Sequence, residues 1–282
     1  MGLTVIQVDA FTNKPFGGNP AAVCITPQPL TDEVMKNIAA EMNLSETAFL
    51  SPLANEAAGS YSLRWFTPAV EVELCGHATL ASAHVLWSEG HLVADEAARF
   101  QTKSGWLGAK QNDGWIEMDF PAQTTKPAHV MPQLIKSLCC GGNVRKVSKT
   151  STNYLVELNS EEVLKKLTPN FDEMKKLPVQ GVIVTAAASD DSYDFVSRYF
   201  VPSVGINEDP VTGSAHTSLA PYWQAKLGKS EMLAQQVSAR GGIIRVSCQL
   251  TNSNDTDETA PENRISISGQ AVTVLKGELQ LG

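Results

Sequence analysis

The stretch Glu73-Leu74-Cys75-Gly76-His77-Ala78-Thr79-Leu80-Ala81 decides how this chain of 282 residues is read. Small residues at Ala78, Ala81, Ser82 and Ala83 sit among apolar ones as far as Trp87, with no polar stripe. A surface helix would show such a stripe, so the pattern predicts a helix enclosed by protein. If that helix starts near Gly76, its first N–H groups lack intrahelical partners and carry partial positive charge. Such an end holds a carboxylate or phosphate. Gly76 lets a ligand approach the backbone, and His77 brings a titratable ring to the same spot. A tightly packed core helix with an incidental histidine fits this stretch equally well.

A second copy breaks the tie. Arg64-Trp65-Phe66-Thr67-Pro68 precedes Leu74-Cys75-Gly76-His77-Ala78, and Arg198-Tyr199-Phe200-Val201-Pro202 precedes Val211-Thr212-Gly213-Ser214-Ala215. Each reads Arg-aromatic-Phe-x-Pro, then a loop bearing carboxylates, then a glycine opening a helix of small residues. Gly213 lies 137 positions after Gly76, close to half the chain, and its loop is a few residues longer. A repeat of that period predicts two pseudo-symmetric domains, each of strands around a buried helix. Their helix N-termini would face one another across a cleft suited to a small anionic substrate. Duplication for packing alone is the plainer alternative.

Composition narrows the classes. A hydrophobic fraction of 43% and a charged fraction of 18% describe an ordinary globular chain, long enough for two domains. Net charge of −8 argues against a nucleic-acid partner, which needs clustered Lys and Arg. No run approaches the roughly 18 apolar residues of a membrane span. Met1–Val5 enters a strand pattern directly, leaving no room for a signal peptide. Five cysteines, odd in number and without a CxxC pair, fit a reducing compartment, so a cytoplasmic protein is expected.

Along the chain, residues 4–11 alternate as a strand, the loop Lys14–Pro20 follows, and Ala21–Ile25 is a second strand. Thr31 is an N-cap, with Asp32 and Glu33 in the first turn of a helix ending near Met42, where Asn43 suits a left-handed cap. Strands are predicted at 61–66, 98–103, 114–120, 143–148, 152–158, 179–185, 193–200, 243–250, 264–268 and 271–276. Helices are predicted at 131–138, 160–167 and 170–176, and Thr251–Asn263 as a polar loop. Pro121–Pro127 reads as a linker between a domain of residues 1–122 and one of 128–282, with the last strand free to cross back to the first.

Glu46, flanked by residues with buried character, is the leading acid–base candidate, since a desolvated carboxylate titrates near neutrality. Asp209 stands where it could pair with His77 across a cleft, whereas Glu208 reads as a helix-capping acid. Gly213 and Ser214 offer amides to a carboxylate or a developing enolate oxygen. His216 reads as a packed helix residue. Cys75 and His77 stand only two apart with no second ligand pair, so no metal is expected. The G-x-S-x-G, G-x-G-x-x-G and G-x-x-x-x-G-K-[ST] signatures are missing, so no hydrolase triad, dinucleotide or ATP is predicted.

Asp9-Ala10-Phe11-Thr12, Phe16-Gly17-Gly18-Asn19-Pro20-Ala21-Ala22-Val23 and Asn43-Leu44-Ser45-Glu46-Thr47-Ala48-Phe49, together with the two repeat motifs, give the chain a whole-length resemblance. It resembles the phenazine-biosynthesis (PhzF-like) isomerases. That resemblance implies an α+β, diaminopimelate epimerase-like fold, with a curved, mostly antiparallel sheet around a central helix in each domain. It also implies a homodimer and a cofactor-independent isomerase that moves a proton between carbons of a small, cyclic amino acid-like carboxylate. Glu46 matches the family's base and acid, with His77 and Asp209 beside it. Asn19, Gly76, Gly213 and Ser214 are the substrate-binding candidates, with Cys75 and Thr212 as further ones. Distant relatives on this fold use two opposed cysteines. Here Thr212 faces Cys75 in the repeat and is far too weak an acid to replace a thiol, so a two-thiol racemase is not expected. A one-thiol epimerase using Cys75, or a non-catalytic binding or regulatory protein on the same fold, are the alternatives.

Overall fold

The computed structural model describes residues 2–249 and 263–281. Apart from Asn263, the polar loop expected at Thr251–Asn263 lies outside the described residues. The chain forms two compact units, Met1–Asp119 with Ser268–Gly282, and Phe120–Ile267. The C-terminal strand belongs to the first unit, and the stretch read as a linker belongs to the second.

The first unit contains β1 (Gly2–Ala10), β2 (Asn19–Ile25), α1 (Asp32–Met42), β3 (Glu46–Pro52), β4 (Ser60–Phe66), β5 (Glu71–Val72), α2 (Gly76–Ser88), β6 (Ala98–Thr102), β7 (Gly105–Asn112) and β8 (Trp115–Pro121). β1 pairs antiparallel with β2, β2 parallel with β3, and β3 antiparallel with β4. β4 then pairs antiparallel with β5 and parallel with β6, which pairs antiparallel with β7. Antiparallel pairs dominate and the sheet is mixed, as the epimerase-like expectation required.

The second unit repeats this plan. It contains β9 (Lys126–Pro127), α3 (Pro132–Leu138), β10 (Val144–Lys149), β11 (Asn153–Leu158), α4 (Glu161–Lys165), α5 (Phe171–Met174), β12 (Gly181–Ala187) and β13 (Phe195–Val201). After a short 3-10 turn come β14 (Ile206–Asp209), α6 (Gly213–Leu227), β15 (Glu231–Gln236), β16 (Gly242–Gln249) and β17 (Arg264–Gly269). The pairings run β10–β11 antiparallel, β11–β12 parallel, β12–β13 antiparallel, β13–β14 antiparallel, β13–β15 parallel and β15–β16 antiparallel. The sense of every step matches its counterpart in the first unit. The repeat seen in two short motifs thus extends through the whole sheet. β18 (Ala271–Gln280) pairs antiparallel with β1 and completes the first unit.

Helices cover both faces of each sheet. α2 lies against β1, β2 and β3, with Leu80, Ala81, Ala83, Val85 and Leu86 fully buried. Small residues let the helix come close to the strands, which is why this segment carries no polar stripe. On the other face, α1 places Met35, Ile38 and Ala39 against Val5, Cys24, Phe49 and Phe66. Strands covered on both faces lose their alternation, so β3 is buried from Thr47 to Ser51. The caps of α1 are as its sequence predicts: Thr31 Oγ1 accepts from the Val34 N–H and Asn43 is left-handed at φ 51°.

An arginine fork holds the loop ahead of each central helix. Arg64 Nε and Nη2 donate to the two carboxylate oxygens of Glu71, both at 2.7 Å, and its guanidinium stacks over Phe66. Arg198 grips Glu208 in the same way, at 2.7 and 2.8 Å, and stacks over Phe200. Glu208 is therefore the partner of Arg198, not the helix-capping acid expected. The arginine of Arg-aromatic-Phe-x-Pro and an acid of the following loop make one bidentate lock.

Inside α6, Pro221 has no N–H to offer the carbonyl of Thr217. The Gln123 N–H donates to that carbonyl instead, at 3.1 Å, so the helix's proline docks the incoming chain. The start of α6 is clamped by Gln236, which is fully buried at the end of β15. Its Oε1 accepts from the Thr212 N–H at 2.9 Å, and its Nε2 donates to the Asp209 carbonyl at 2.8 Å and to Thr212 Oγ1 at 3.2 Å. β15 has no place in the sequence expectations, and neither does this clamp. Leaving buried polar groups without partners costs about 1–3 kcal/mol each. Gln236→Leu is thus expected to lower stability by roughly 3 kcal/mol in thermal or denaturant unfolding. A change under about 0.5 kcal/mol, the size expected of a surface substitution, would contradict the clamp.

Candidate active site

Three element starts meet in the first unit. β2 opens at Asn19, β3 opens at Glu46, and α2 opens at Gly76. Parallel pairing of Ala21 with Glu46 puts the first two at the same end of adjacent strands. Cys75 is the N-cap of α2, with extended φ −144° and ψ 105° and no side-chain cap bond. Thr79 Oγ1 instead donates back to the Cys75 carbonyl at 2.6 Å. The cysteine side chain is thereby left to the site.

There, Glu46 Oε2 lies 3.3 Å from His77 Nε2, off the line of the ring N–H, with only 14% of the glutamate side chain exposed. Asn19 Nδ2 lies 3.2 Å from His77 Nδ1, and Cys75 Sγ lies 3.6 Å from the same nitrogen. Ser45 Oγ donates to Asn19 Oδ1 at 3.4 Å. Burial pushes the Glu46 carboxyl above the usual carboxylate range, and its contacts with the Ser45 and Cys75 side chains only partly offset it. A carboxyl so placed holds its proton longer than a surface glutamate and gives it back more readily than a hydroxyl.

The second unit presents the equivalent start. Thr212 is the N-cap of α6 in the same extended conformation, φ −121° and ψ 100°, again without a side-chain cap bond. Its hydroxyl donates to Asp209 Oδ2 through a short contact. His216 stands where Thr79 stands in the first copy and makes the matching bond, Nδ1 to the Thr212 carbonyl at 2.8 Å. It is fully buried and stacked on Phe195, and desolvation drops its pKa to about 4. A packed helix residue is what the sequence led us to expect of it.

Of the sequence-derived candidates, Asn19, Glu46, Cys75 and His77 thus come together in the first unit with Gly76 at the helix start. Thr212 and Asp209 are in contact in the second, where Gly213 and Ser214 open α6. Ser45 and Gln236 were missed. Ser45 lies inside the Asn43–Glu46 motif, where its hydroxyl next to the acid was a usable signal. Gln236 lies 24 positions from Thr212 in a strand without any motif, and no sequence pattern points to it.

Glu46, Cys75 and His77 also offer a carboxylate, a thiol and an imidazole whose donor atoms all lie within 4.8 Å of one another. Such a set can hold a divalent ion. In the sequence Cys75 and His77 stand without a second ligand pair, and the fold adds Glu46 as one further donor. The carboxylate and the thiol approach opposite nitrogens of the ring, however. The thiol and the carboxylate are also in contact with each other, so the three groups form one connected set of exchangeable hydrogens. The arrangement suits the movement of a proton better.

Residues 8–277 match the family model described as phenazine biosynthesis-like protein. The chain is 49% identical over 282 residues to an uncharacterized isomerase of Halalkalibacterium halodurans, covering all of both chains. Among solved structures, a phenazine biosynthesis protein of the PhzF family from Enterococcus faecalis superposes with a TM-score of 0.88 at 41% identity, covering all of both chains. A predicted epimerase of Pseudomonas aeruginosa shares the fold, with a TM-score of 0.72 at 18% identity over 99% of this chain and all of that one. No helix among the described residues is long and apolar enough to cross a membrane. With two matched halves and a shielded carboxylate at a helix start, this chain is an isomerase of the phenazine biosynthesis-like (PhzF) family, built on the diaminopimelate epimerase-like fold.

Proposed function

We propose that the protein moves a proton between two carbons of a small, cyclic amino acid-like carboxylate, without a cofactor, and that Glu46 carries the proton. The observation behind this reading is the shielded Glu46 carboxyl, raised by burial and set 3.3 Å from His77 Nε2 at a helix start. Glu46 takes a proton from a carbon next to an electron-withdrawing group, and its own acid form returns that proton to a neighbouring carbon. Because burial raises the carboxyl, the ionised form is a stronger base than an exposed glutamate. His77 presents a polar ring edge to the carboxyl, and the first amides of α2 at Gly76 receive the substrate's carboxylate. On the strength of the repeat we assign Asp209, Gly213 and Ser214, at the start of α6, to the same reaction. We place the protein in the cytoplasm as a homodimer, in keeping with its five free cysteines and its family.

One observation favours a second reading. Cys75 Sγ lies 3.6 Å from His77 Nδ1, so an imidazole is at hand to take the thiol's proton. A one-thiol epimerase would use Cys75 in place of Glu46.

Incubation in D2O with a panel of small cyclic amino acids and carboxylates, read by mass spectrometry, separates the two. The wild-type protein is expected to wash deuterium into a substrate carbon, Glu46→Gln to lose at least about 100-fold of that rate, as for removal of a positioned acid–base group, and Cys75→Ala to keep it. Wild-type exchange in Glu46→Gln, or its loss in Cys75→Ala, would overturn the assignment. Stability carries a matching signature. A carboxyl raised in the folded state binds more protons than the unfolded chain over the interval between the two pKa values, so stability falls as pH rises through that interval. Glu46→Gln should therefore have a higher Tm than wild type at about pH 8, and the gap should close towards about pH 4.

A further inference from the structure

Asn19 is fully buried and is brought into the site by a strained turn. Phe11 and Phe16 hold left-handed backbone at φ 64° and 71°, and Gly18 does so at φ 61°. For a phenylalanine that conformation is costly and persists only where the surroundings fix it. They do so here. The buried Asp9 carboxylate accepts the Phe16 N–H at 2.8 Å. At Gly18 a side chain is impossible, since a Cβ would lie 2.1 Å from the Ala10 carbonyl oxygen. A turn held this tightly fixes the Asn19 side chain.

Both ends of that side chain are engaged within the protein. Oδ1 accepts from the Ser45 hydroxyl at 3.4 Å, and Nδ2 faces His77 Nδ1 at 3.2 Å. An amide nitrogen only donates, so His77 Nδ1 has to accept and carries no hydrogen. Nε2 lies 3.3 Å from a Glu46 carboxylate oxygen, off the line of the ring N–H, and beside an ionised carboxylate a ring hydrogen is favoured over a lone pair by charge alone. Asn19 by hydrogen bonding and Glu46 by charge therefore favour the same tautomer.

We propose that Asn19 is a positioning residue that holds His77 in its Nε2–H tautomer, so that the ring carries a hydrogen, and not a lone pair, on the nitrogen nearest Glu46. This rests on the reading of Glu46 as the proton carrier and adds the reason for a buried asparagine beside it. A lone pair on that nitrogen would repel the ionised carboxylate and favour its acid form. A hydrogen there favours the basic form.

The test is nitrogen NMR of the histidine side chains in the uniformly 15N-labelled full chain near neutral pH, with the His77 signals identified by their loss in His77→Gln. A bare ring nitrogen resonates far downfield of a protonated one, so the tautomer is read directly. Wild type is expected to show a bare Nδ1 and a protonated Nε2. Asn19→Asp replaces the donor with a group that only accepts, and should shift the hydrogen onto Nδ1. A protonated Nδ1 in the wild type, or an unchanged His77 pattern in Asn19→Asp, would overturn the proposal. The wild-type spectrum decides even if Asn19→Asp fails to fold. No substrate is needed, so a failure here is distinct from a failure of the Glu46 exchange test.

Discussion

A bidentate arginine–glutamate pair stands ahead of each central helix, and the rest of the molecule depends on it. Arg64 with Glu71 and Arg198 with Glu208 are half-buried, stacked on a phenylalanine of their own strand, and joined by two parallel hydrogen bonds of 2.7 to 2.8 Å. An exposed ion pair contributes little, but a fork with this geometry fixes the direction in which the chain leaves the strand. Once the loop is fixed, the next residues have little freedom. Cys75 and Thr212 fall into the same extended N-cap conformation, and α2 and α6 begin at Gly76 and Gly213. The bulk of each helix then disappears against the strands because its residues are small.

Burial of the helix is what makes the chemistry available. A helix buried from its first turn brings its positive end into a place where water is scarce, and Glu46 at the head of β3 shares that place. Desolvation raises the carboxyl, the same low dielectric strengthens its contacts with Ser45 and Cys75, and the cost is borne by the folding stability of the unit. Strain is found at the same place. Phe11, Phe16 and Gly18 all have positive φ in the turn that leads to Asn19. Strain and desolvation together, within a few residues of each other, are what a site organised for reaction shows, and packing alone asks for neither.

Much of this was legible in the sequence. The repeat announced two matched halves because the same side chains recur in the same order, and α1 was marked by Thr31 at one end and Asn43 at the other. The Asn43–Glu46 and Cys75–His77 motifs named the side chains that meet in the first unit. Other features were out of reach for a physical reason. The parallel pairing of β2 with β3, which sets Asn19 beside Glu46, depends on strands far apart in sequence. Gln236 contributes one amide from an unremarkable strand, and nothing in its neighbours records that it is clamped onto Thr212. Glu208 was misread because an acid before a helix is ordinarily a cap, and only the fold reveals Arg198 as its partner.

The central claim is that Glu46 is a desolvated carboxyl that exchanges its proton at neutral pH more readily than its surface counterparts. Carbon-13 NMR of the glutamate side-chain carboxyls, with Glu46 identified by its absence in Glu46→Gln, measures that claim most directly. The account predicts that Glu46 titrates clearly above the ordinary carboxylate range, while Glu162 and Glu173, each paired with a lysine, titrate below it. A Glu46 carboxyl that titrates within or below that range would contradict it.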